Sequence, residues 1–537
     1  MNSWKTKLSL SVFTGALLAV CFEPFGFSAL AFVAYLPLLF VLDSEKRFWK
    51  LVLYAWTAMF VQSIASFEWI HFVAREFGGL SWFVSVFILL AFAIATNFSL
   101  QIFAAFYYLA RKYYKEKNYI FYLFMLPTLF CLAEVLDPKI FKWFLGDALT
   151  YNKYLVQFAD VFGVRGLSFL IFVFNICLFL IVKKYLEGKL TFKKVLAPVS
   201  LCVFIPLFLF VYGKQTYFSL KELQEKCPII KAGVVQANIG NPIQLSVAQA
   251  IKFKTEFGLQ KELYVSDMAL ILKKYRDMTS SLVGSTKDID FIVWPETAFP
   301  GYYMDSSQAA LDHKKMVASL GIPFLIGGYY LDSRDKYYNS AILVTPTGQV
   351  DFYHKKMLLP FGEYMPLGEY FPFLKNIVPA VSDFSRGSGP AVLKLVINGL
   401  EVRFAPTICY EILDSGYVGD MVAKDAHILL NMSNDSWFGT VEPYQHLREA
   451  RMRSVEYRRP IIRSTNTGIT ALVDITGDMI KKSELNKEEN VVMDVPVCDH
   501  RMRSFYSIAG KYFVTLSTLG VIALIIFSRK KRSKRTK

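Results

Sequence analysis

The sequence predicts a membrane protein of two parts, a multi-span α-helical membrane domain and an inserted α/β domain. Hydrophobic residues make up 54% of the 537 positions, and the mean hydropathy is +0.34. Long apolar runs fill the first 213 residues and recur once near the C-terminus. Between Lys231 and His500 short strand-like runs alternate with helix-like runs, which is typical of an α/β domain.

The apolar runs approach the roughly 20 residues that a helix needs to cross a bilayer, and we predict eight spans, plus or minus one. They are Leu8–Cys21, Phe27–Leu42, Leu51–Ile70, Leu80–Ala110, Tyr119–Leu136, Leu167–Val182, Val195–Val211 and Tyr512–Phe527. We therefore expect a membrane domain of about seven helices over residues 1–213, a final transmembrane helix over 508–528 and a basic tail over 529–537. The first run lacks a small-residue cleavage site, so it is interpreted as an uncleaved helix.

Basic residues accumulate in every second connection between these runs, and again in the C-terminal tail. Examples are Lys46, Arg47 and Lys50 before the third run, and Lys183 and Lys184 after the sixth. The positive-inside rule then places both termini in the cytoplasm and residues 214–507 on the outer face. The net charge of +16 is explained by this topology, and nucleic-acid binding is not expected.

The outer-face segment carries alternating apolar patterns that predict strands, separated by helical patterns. Predicted strands are Ala232–Gln236, Phe291–Trp294, Phe324–Tyr329, Ala341–Thr345, Val392–Ile397, Val402–Ile408, His427–Asn431, Ile461–Ser464, Ile469–Ile475 and Val491–Val495. Predicted helices are Leu245 to about Thr279, Ser307–Leu320 and Pro443–Tyr457.

Three reactive side chains stand out, each in an otherwise apolar stretch of this segment. Cys409 follows the strand that ends at Ile408, Glu296 follows the strand that ends at Trp294, and Lys355 follows Tyr353-His354. A thiol can attack a carbonyl if a carboxylate takes its proton, and an ammonium can stabilise the oxyanion that forms. Each residue also has an ordinary interpretation, as a buried small hydrophobe, a solvated carboxylate and a surface lysine. Lys356 is the alternative to Lys355. Neighbouring strand residues face opposite sides of a sheet, so only one of these two lysines should reach the site.

Four motifs carry a resemblance to a known family. They are W-P-E-T-A-F-P around Glu296, K-x-x-L-L-P-F-G-E from Lys355 to Glu363, I-C-Y-E around Cys409, and N-D-S-W-F-G from Asn434. Together they resemble the nitrilase (carbon-nitrogen hydrolase) superfamily, and specifically its membrane-bound branch, the apolipoprotein N-acyltransferases. The resemblance covers nearly the whole chain. It implies an α-β-β-α sandwich for the inserted domain, selects Lys355 over Lys356, and makes Glu296, Lys355 and Cys409 the catalytic triad.

The same resemblance implies roles for three further residues. Glu363 would be a second essential carboxylate that orients Lys355 or the substrate, while Tyr410 and Glu411 would line the pocket beside the thiol. Without the resemblance, these side chains are equally a turn carboxylate, a packing aromatic and a capping group.

The implied reaction is ping-pong acyl transfer at the periplasmic side of a bacterial inner membrane. Cys409 would take an acyl chain from a phospholipid as a thioester, and the α-amine of a diacylated apolipoprotein would receive it. The alternatives are a membrane-tethered amidase that passes the acyl group to water, and a transporter or structural membrane protein. No cofactor or metal is expected, because no P-loop, G-x-G-x-x-G fingerprint or histidine pair at ligand spacing occurs. We expect a monomer whose partners are phospholipid, apolipoproteins and the bilayer.

Two features of the sequence stay open. Residues 364–379 form a Pro-interrupted, aromatic-rich loop that either dips into the lipid interface or packs in the core. Cys227 and Cys498 bracket the catalytic domain, where they form a disulfide or remain two free thiols.

Overall fold

The computed structural model describes residues 3–76, 78–114, 118–240, 258–304, 307–371, 373 and 382–533. The chain forms two compact units. The first comprises Met1–His71, Ser81–Ser219 and Ser504–Lys537, and the second comprises Phe72–Leu80 and Leu220–Arg503. In the described part of the chain the first unit is helical, and every strand belongs to the second unit.

The helices, in chain order, are α1 Trp4–Val20, α2 Leu36–Ser44, α3 Phe48–Ser66, α4 Trp69–Glu76, α5 Trp82–Ala95, α6 Ser99–Tyr113, α7 Leu126–Leu136, α8 Ala159–Leu186, α9 Phe192–Gln224, α10 Gly258–Ser285, α11 Gln308–Leu320, α12 Ser415–Val422, α13 Glu442–Tyr457, α14 Phe505–Ile508 and α15 Phe513–Ser533. Each of the eight predicted apolar runs overlaps one or more of these helices. Among the described residues, four helical stretches are long and apolar enough to cross a membrane, or five if the bent pair α3 and α4 counts as one span. The total of eight spans stays a prediction.

The long apolar run Leu80–Ala110 forms two helices, α5 and α6. Asn97 between them adopts a positive φ of 62°. The Asp137 carboxylate accepts hydrogen bonds from the N–H groups of Phe98 and Ser99, each at 2.9 Å. A carboxylate at a helix N-terminus satisfies N–H groups that have no partner within the helix, and this explains why α6 begins there.

The second unit contains two sheets, built from the strands β1 Ile229–Gln236, β2 Phe291–Val293, β3 Phe299–Tyr302, β4 Phe324–Leu331, β5 Tyr337–Val344, β6 Val350–His354, β7 Leu393–Ile397, β8 Leu400–Ile408, β9 Ile428–Ser433, β10 Ile461–Thr465, β11 Ala471–Val473, β12 Met479–Lys482 and β13 Glu489–Pro496. The first sheet has the order β13-β1-β2-β4-β5-β6, with β3 paired to β4. The second sheet has the order β12-β11-β10-β9-β8-β7. The predicted fold class, a helical membrane part with an inserted α/β domain, is confirmed.

Four elements of this unit are not among the predicted ones, namely β3, β6, β12 and α12. All four residues of β12 are exposed, and only one residue of β6 is buried, so neither has the alternating burial that marks a strand in a sequence. The predicted helix over Leu245–Thr279 corresponds to α10. The part of that prediction before residue 258 lies outside the described residues.

The two ends of the second unit are joined covalently. Cys227 precedes β1, Cys498 follows β13, and the structure contains a disulfide between them. β1 and β13 also pair antiparallel, with Ile229 opposite Pro496. The disulfide therefore links the start of β1 to the end of its neighbour β13, where the chain enters and leaves this unit.

Candidate active site

The three predicted catalytic residues all lie just beyond the carboxyl ends of strands. Glu296 follows β2 and Lys355 follows β6, both in the first sheet, whereas Cys409 follows β8 in the second sheet. All three side chains are buried. The Lys355 ammonium lies 3.5 Å from Glu296 Oε1 and 2.8 Å from the Glu363 carboxylate. The structure thus brings together the lysine and both carboxylates that the sequence singled out.

A glycine allows Glu296 to sit this deep in the sheet. A Cβ atom at Gly327 of β4 would lie 2.3 Å from the Pro295 carbonyl oxygen and 2.5 Å from Glu296 Cα. Contacts this short are excluded for real side chains, so only glycine lets the two backbones approach. Thr297, immediately after Glu296, has a positive φ of 56°. The chain therefore turns sharply at the carboxylate.

Asn339 of β5 is a site residue that the sequence analysis missed. Its side-chain amide donates to Glu296 Oε1 at 2.8 Å and to Glu363 Oε1 at 3.0 Å. Its backbone carbonyl oxygen accepts a hydrogen bond from the backbone N–H of Lys355 at 2.8 Å. Asn339 thus holds both carboxylates and the lysine in one arrangement. The only local signal was an amide within an otherwise buried strand.

The two adjacent lysines are used differently. Lys355 is 1% exposed and lies between two carboxylates. Lys356 is partly exposed, and its backbone N–H donates to Glu411 Oε1 at 2.7 Å. This geometry favours Lys355 as the lysine of the site.

Cys409 occupies a strained turn. Its φ is +49°, in the left-handed region that residues other than glycine rarely adopt, and a short 3₁₀ turn over Cys409–Leu413 follows. Such strain concentrates at functional sites, and a sharp turn after a strand projects a nucleophile from the sheet edge. Burial raises the pKa of the Cys409 thiol well above its ordinary value. Glu296 raises that pKa further, whereas Lys355 opposes the shift.

The charged partners are shifted by the same burial. Burial raises the pKa of Glu296, although Lys355 and the hydrogen bond from Asn339 act in the opposite direction. Burial alone would lower the pKa of Lys355, but the Glu363 and Glu296 carboxylates raise it overall. The ammonium is therefore charged at neutral pH, and Glu296 is a stronger base than an exposed glutamate.

Glu411 lies beside the thiol in the sequence but does not project into open space. It is fully buried, and its carboxylate accepts the backbone N–H groups of Ile408 at 2.8 Å and Met357 at 3.0 Å, as well as the Tyr353 hydroxyl at 2.8 Å. Burial raises the pKa of Glu411 to about 7 against the lowering effect of these donors. The side chain ties the turn at Cys409 to the segment that follows Lys355. Tyr410 is also buried.

A second contact with Glu296 comes from the N-D-S-W-F-G motif. The backbone N–H of Asn434 donates to Glu296 Oε2 at 2.9 Å. Together with Asn339, this contact gives each oxygen of Glu296 a donor. The motif was recognised in the sequence, but its contact with Glu296 was not.

One group of side chains in the described residues has the spacing of a metal site. Ligand atoms of Asp435, Glu442 and His446 lie within 4.8 Å of one another. However, Arg463 Nη2 lies 2.5 Å from Asp435 Oδ2. A guanidinium already supplies positive charge at this point, so the residues do not fit a metal cation.

The fold and the site together define an α/β enzyme of the carbon-nitrogen hydrolase class, with a buried thiol, a buried carboxylate and a buried lysine at strand ends. Comparison with known families agrees. Residues 231–501 match the carbon-nitrogen hydrolase family, and residues 14–177 match the apolipoprotein N-acyltransferase N-terminal domain. The chain belongs to the apolipoprotein N-acyltransferase family.

Individual relatives show how far the similarity extends. The chain is 34% identical over 498 residues to an apolipoprotein N-acyltransferase of Bdellovibrio bacteriovorus, covering 89% of this chain and 86% of the relative. It is 30% identical to that of Geobacter metallireducens, covering 97% and 95%. Among solved structures, the yeast Nit3 protein of the nitrilase superfamily aligns at 16% identity with a TM-score of 0.35, covering 50% of this chain and 90% of that chain.

Family membership confirms the predicted acyltransferase class. It also agrees with the apolar helices in identifying a multi-pass bacterial membrane protein. The family implies lipoprotein substrates and a membrane environment, and the apolar composition predicted such an environment.

Proposed function

We propose that Cys409, Glu296 and Lys355 catalyse N-acylation of the N-terminal diacylglyceryl-cysteine of apolipoproteins, with a phospholipid as acyl donor. In the first half-reaction the Cys409 thiol gives its proton to Glu296 as its sulfur bonds to the ester carbonyl carbon. The ester C–O bond then breaks, and the proton passes to the departing oxygen. The products are an acyl-thioester on Cys409 and a lysophospholipid.

The second half-reaction reverses the roles. The free α-amine of the diacylated apolipoprotein attacks the thioester, a C–N bond forms, and the C–S bond breaks. The amine proton reaches the sulfur through Glu296 and restores the thiol. In both steps the Lys355 ammonium stabilises the oxyanion. The single observation that best supports this assignment is the burial of Lys355 between Glu296 and Glu363, which keeps the cation charged and in place.

The segment after Glu363 supports a lipid substrate. Five large apolar side chains, one just before Glu363 and four after it, are at least half exposed: Phe361, Leu367, Tyr370, Phe371 and Phe373. Exposed apolar clusters of this kind mark membrane or ligand contacts. We propose that this segment contacts the lipid interface near the site. Residue 372 and residues 374–379 of the predicted loop lie outside the described residues.

The disulfide supports the proposed orientation. Disulfides persist in oxidising compartments such as the bacterial periplasm and are rare in the cytosol. A disulfide between Cys227 and Cys498 therefore favours a periplasmic catalytic unit. With the basic connections on the opposite side, both termini lie in the cytoplasm.

We propose that the protein acts as a monomer.

The first half-reaction is tested by intact mass. Purified protein in detergent is incubated with phospholipid but without acceptor, beside a Cys409→Ala variant. We expect one fatty-acyl mass increase on the native protein alone, reversed by hydroxylamine. An equal adduct on both proteins would contradict Cys409 as the acceptor. Absence of the adduct and of lysophospholipid would contradict a phospholipid donor.

The second half-reaction is tested with a synthetic diacylglyceryl-cysteine peptide. We expect the peptide to gain one acyl group and the adduct to disappear at the same rate. A control peptide with an acetylated α-amine should leave the adduct in place. If lysophospholipid is released continuously without any amine, transfer to water is the correct reaction.

A further inference from the structure

A row of polar side chains crosses the middle of the second sheet. Thr407 of β8 is opposite Asn431 of β9, and Asn431 is opposite Arg463 of β10. All three residues are fully buried. Strands β8, β9 and β10 run parallel, so the row lies at one level of the sheet, two residues before Cys409. Polar groups at such a depth are retained only with partners.

The Arg463 guanidinium connects this row to the loop after β9. One of its nitrogens, Nη1, donates to Asn431 Oδ1, and the other, Nη2, donates to Asp435 Oδ2 at 2.5 Å. Asn431 in turn donates to the Thr407 carbonyl oxygen at 3.1 Å. A forked guanidinium fixes two acceptors relative to each other. The strand that ends in Cys409 is thereby tied to Asp435.

Asp435 is held from several sides. Its Oδ1 accepts the Ser433 hydroxyl at 2.7 Å and lies 3.4 Å from His446 Nδ1. A Cβ atom at Gly468, where φ is +102°, would come within 2.3 Å of Asp435 Oδ2. The space beside this carboxylate therefore admits only glycine. His446 also lies 3.1 Å from Glu442 Oε1, so helix α13 packs its polar residues against the same carboxylate.

The residue before Asp435 completes the connection. The Asn434 N–H donates to Glu296 Oε2 at 2.9 Å. A continuous chain of contacts thus runs from Thr407, through Asn431, Arg463 and Asp435, to the loop that holds Glu296. Glu296 follows a strand of the first sheet and Cys409 follows a strand of the second sheet. This series of contacts therefore connects the two sheets.

We propose that Arg463 and Asp435 are positioning residues that set the geometry between the thiol of Cys409 and the carboxylate of Glu296. They act through Asn431 and through the Asn434 N–H. This inference rests on the proposed function, since it assumes that Glu296 is the base for Cys409. Small displacements of reacting groups cost about 100-fold in rate, so the effect should appear in the chemical step.

The test measures single-turnover formation of the Cys409 acyl adduct over a range of phospholipid concentrations. Variants are Asp435→Asn, Arg463→Lys and Ser433→Ala. For the first two we expect the limiting rate constant to fall about 100-fold, with the half-saturating lipid concentration unchanged within about twofold. Ser433→Ala removes one hydrogen bond and leaves the charges in place. We expect it to fold like the native protein and to slow the adduct about threefold to tenfold.

Arg459→Lys is the matched control. Arg459 is equally buried, and its guanidinium donates to backbone carbonyls, including those of Ala426 and Met502. This variant should lower the thermal midpoint but leave the rate constant per folded molecule within about twofold. If Asp435→Asn and Arg463→Lys lose stability without slowing the chemical step, the inference is wrong. The same conclusion follows if Ser433→Ala reacts at the native rate.

Failure of the proposed function would look different. In that case the native protein itself would form no hydroxylamine-sensitive adduct. An adduct on the native protein, with unchanged rates in all three variants, would overturn the positioning role alone.

Discussion

The two sheets of the catalytic unit contribute opposite kinds of chemistry to one site. The first sheet supplies the charges: Lys355 lies between Glu296 and Glu363, and Asn339 holds both carboxylates. The second sheet supplies a neutral thiol on a strained turn at Cys409. Glu296, Lys355 and Glu363 are therefore paired with one another without the thiol. The pKa of the thiol, in contrast, depends on these charged groups. Substitutions in the two sheets should consequently fail in different ways.

The largest effect is expected at Cys409. Cys409→Ser should abolish acyl transfer, a loss of at least about a thousandfold, because the neutral hydroxyl is a much weaker nucleophile. The Glu296, Lys355 and Glu363 arrangement should stay intact, so the thermal midpoint should change little. Transfer is measured with labelled phospholipid and diacylated peptide, and folding by thermal unfolding in the same detergent. A Cys409→Ser protein that still transfers the acyl group would contradict the assignment.

Removal of the lysine should damage both activity and stability. In Lys355→Met two buried carboxylates lose their shared cation, and breaking a buried ion pair costs about 3–5 kcal/mol. We expect acyl transfer to be lost and the thermal midpoint to drop clearly. Lys356→Met is the matched control, since only the backbone of Lys356 contacts Glu411. If both variants behave alike, the distinction between the two lysines is wrong.

Asn339→Ala should have an intermediate effect. It removes one donor shared by Glu296 and Glu363 but leaves Lys355 between them. Loss of a buried hydrogen-bond partner costs about 1–3 kcal/mol, and we expect acylation to slow about tenfold to a hundredfold. Single-turnover adduct formation gives the rate. A native rate would show that Lys355 and the backbone N–H donors hold the two carboxylates without Asn339.

The pH dependence of thiol alkylation separates the two roles of Glu296. Its negative charge contributes to the raised pKa of Cys409, while Lys355 opposes the shift. Glu296→Gln removes that charge, so the thiolate should form at lower pH. The midpoint of iodoacetamide labelling, followed on the Cys409 peptide by mass spectrometry, should move to lower pH while acyl transfer is lost. An unchanged midpoint would mean that Glu296 does not act on this thiol electrostatically.

The smallest effect on chemistry is expected at the disulfide between Cys227 and Cys498. Removing a native disulfide costs about 2–5 kcal/mol in many proteins, because the unfolded chain gains freedom. In Cys227→Ser with Cys498→Ser we expect a lower thermal midpoint and a rate per folded molecule within about twofold of native. The native protein under reducing conditions should give the same midpoint as the double variant. Loss of the chemical step in the double variant would show that the joined ends of the unit support the site.

The sequence pointed more directly to the proposed reactive side chains than to the groups that hold them. Glu296, Lys355 and Cys409 could be found because each reactive side chain follows an apolar run, within motifs of known type. Asn339 could not, because its partners are 43 and 24 residues away and no local pattern reports such contacts. Arg463 offered a signal, since an arginine inside the apolar strand Ile461–Thr465 must be either paired or exposed. Its partners again depend on the order of the strands, which the sequence did not reveal.

The disulfide has a consequence for the order of biogenesis. In the described part of the catalytic unit the cysteines are Cys227, Cys409 and Cys498. During synthesis Cys409 emerges before Cys498, so for a time it is the available partner for Cys227. A thiolate is required for disulfide exchange, and burial in the folded unit raises the pKa of the Cys409 thiol well above its ordinary value. Burial of Cys409 in the folded unit thus protects the nucleophile from disulfide exchange with Cys227.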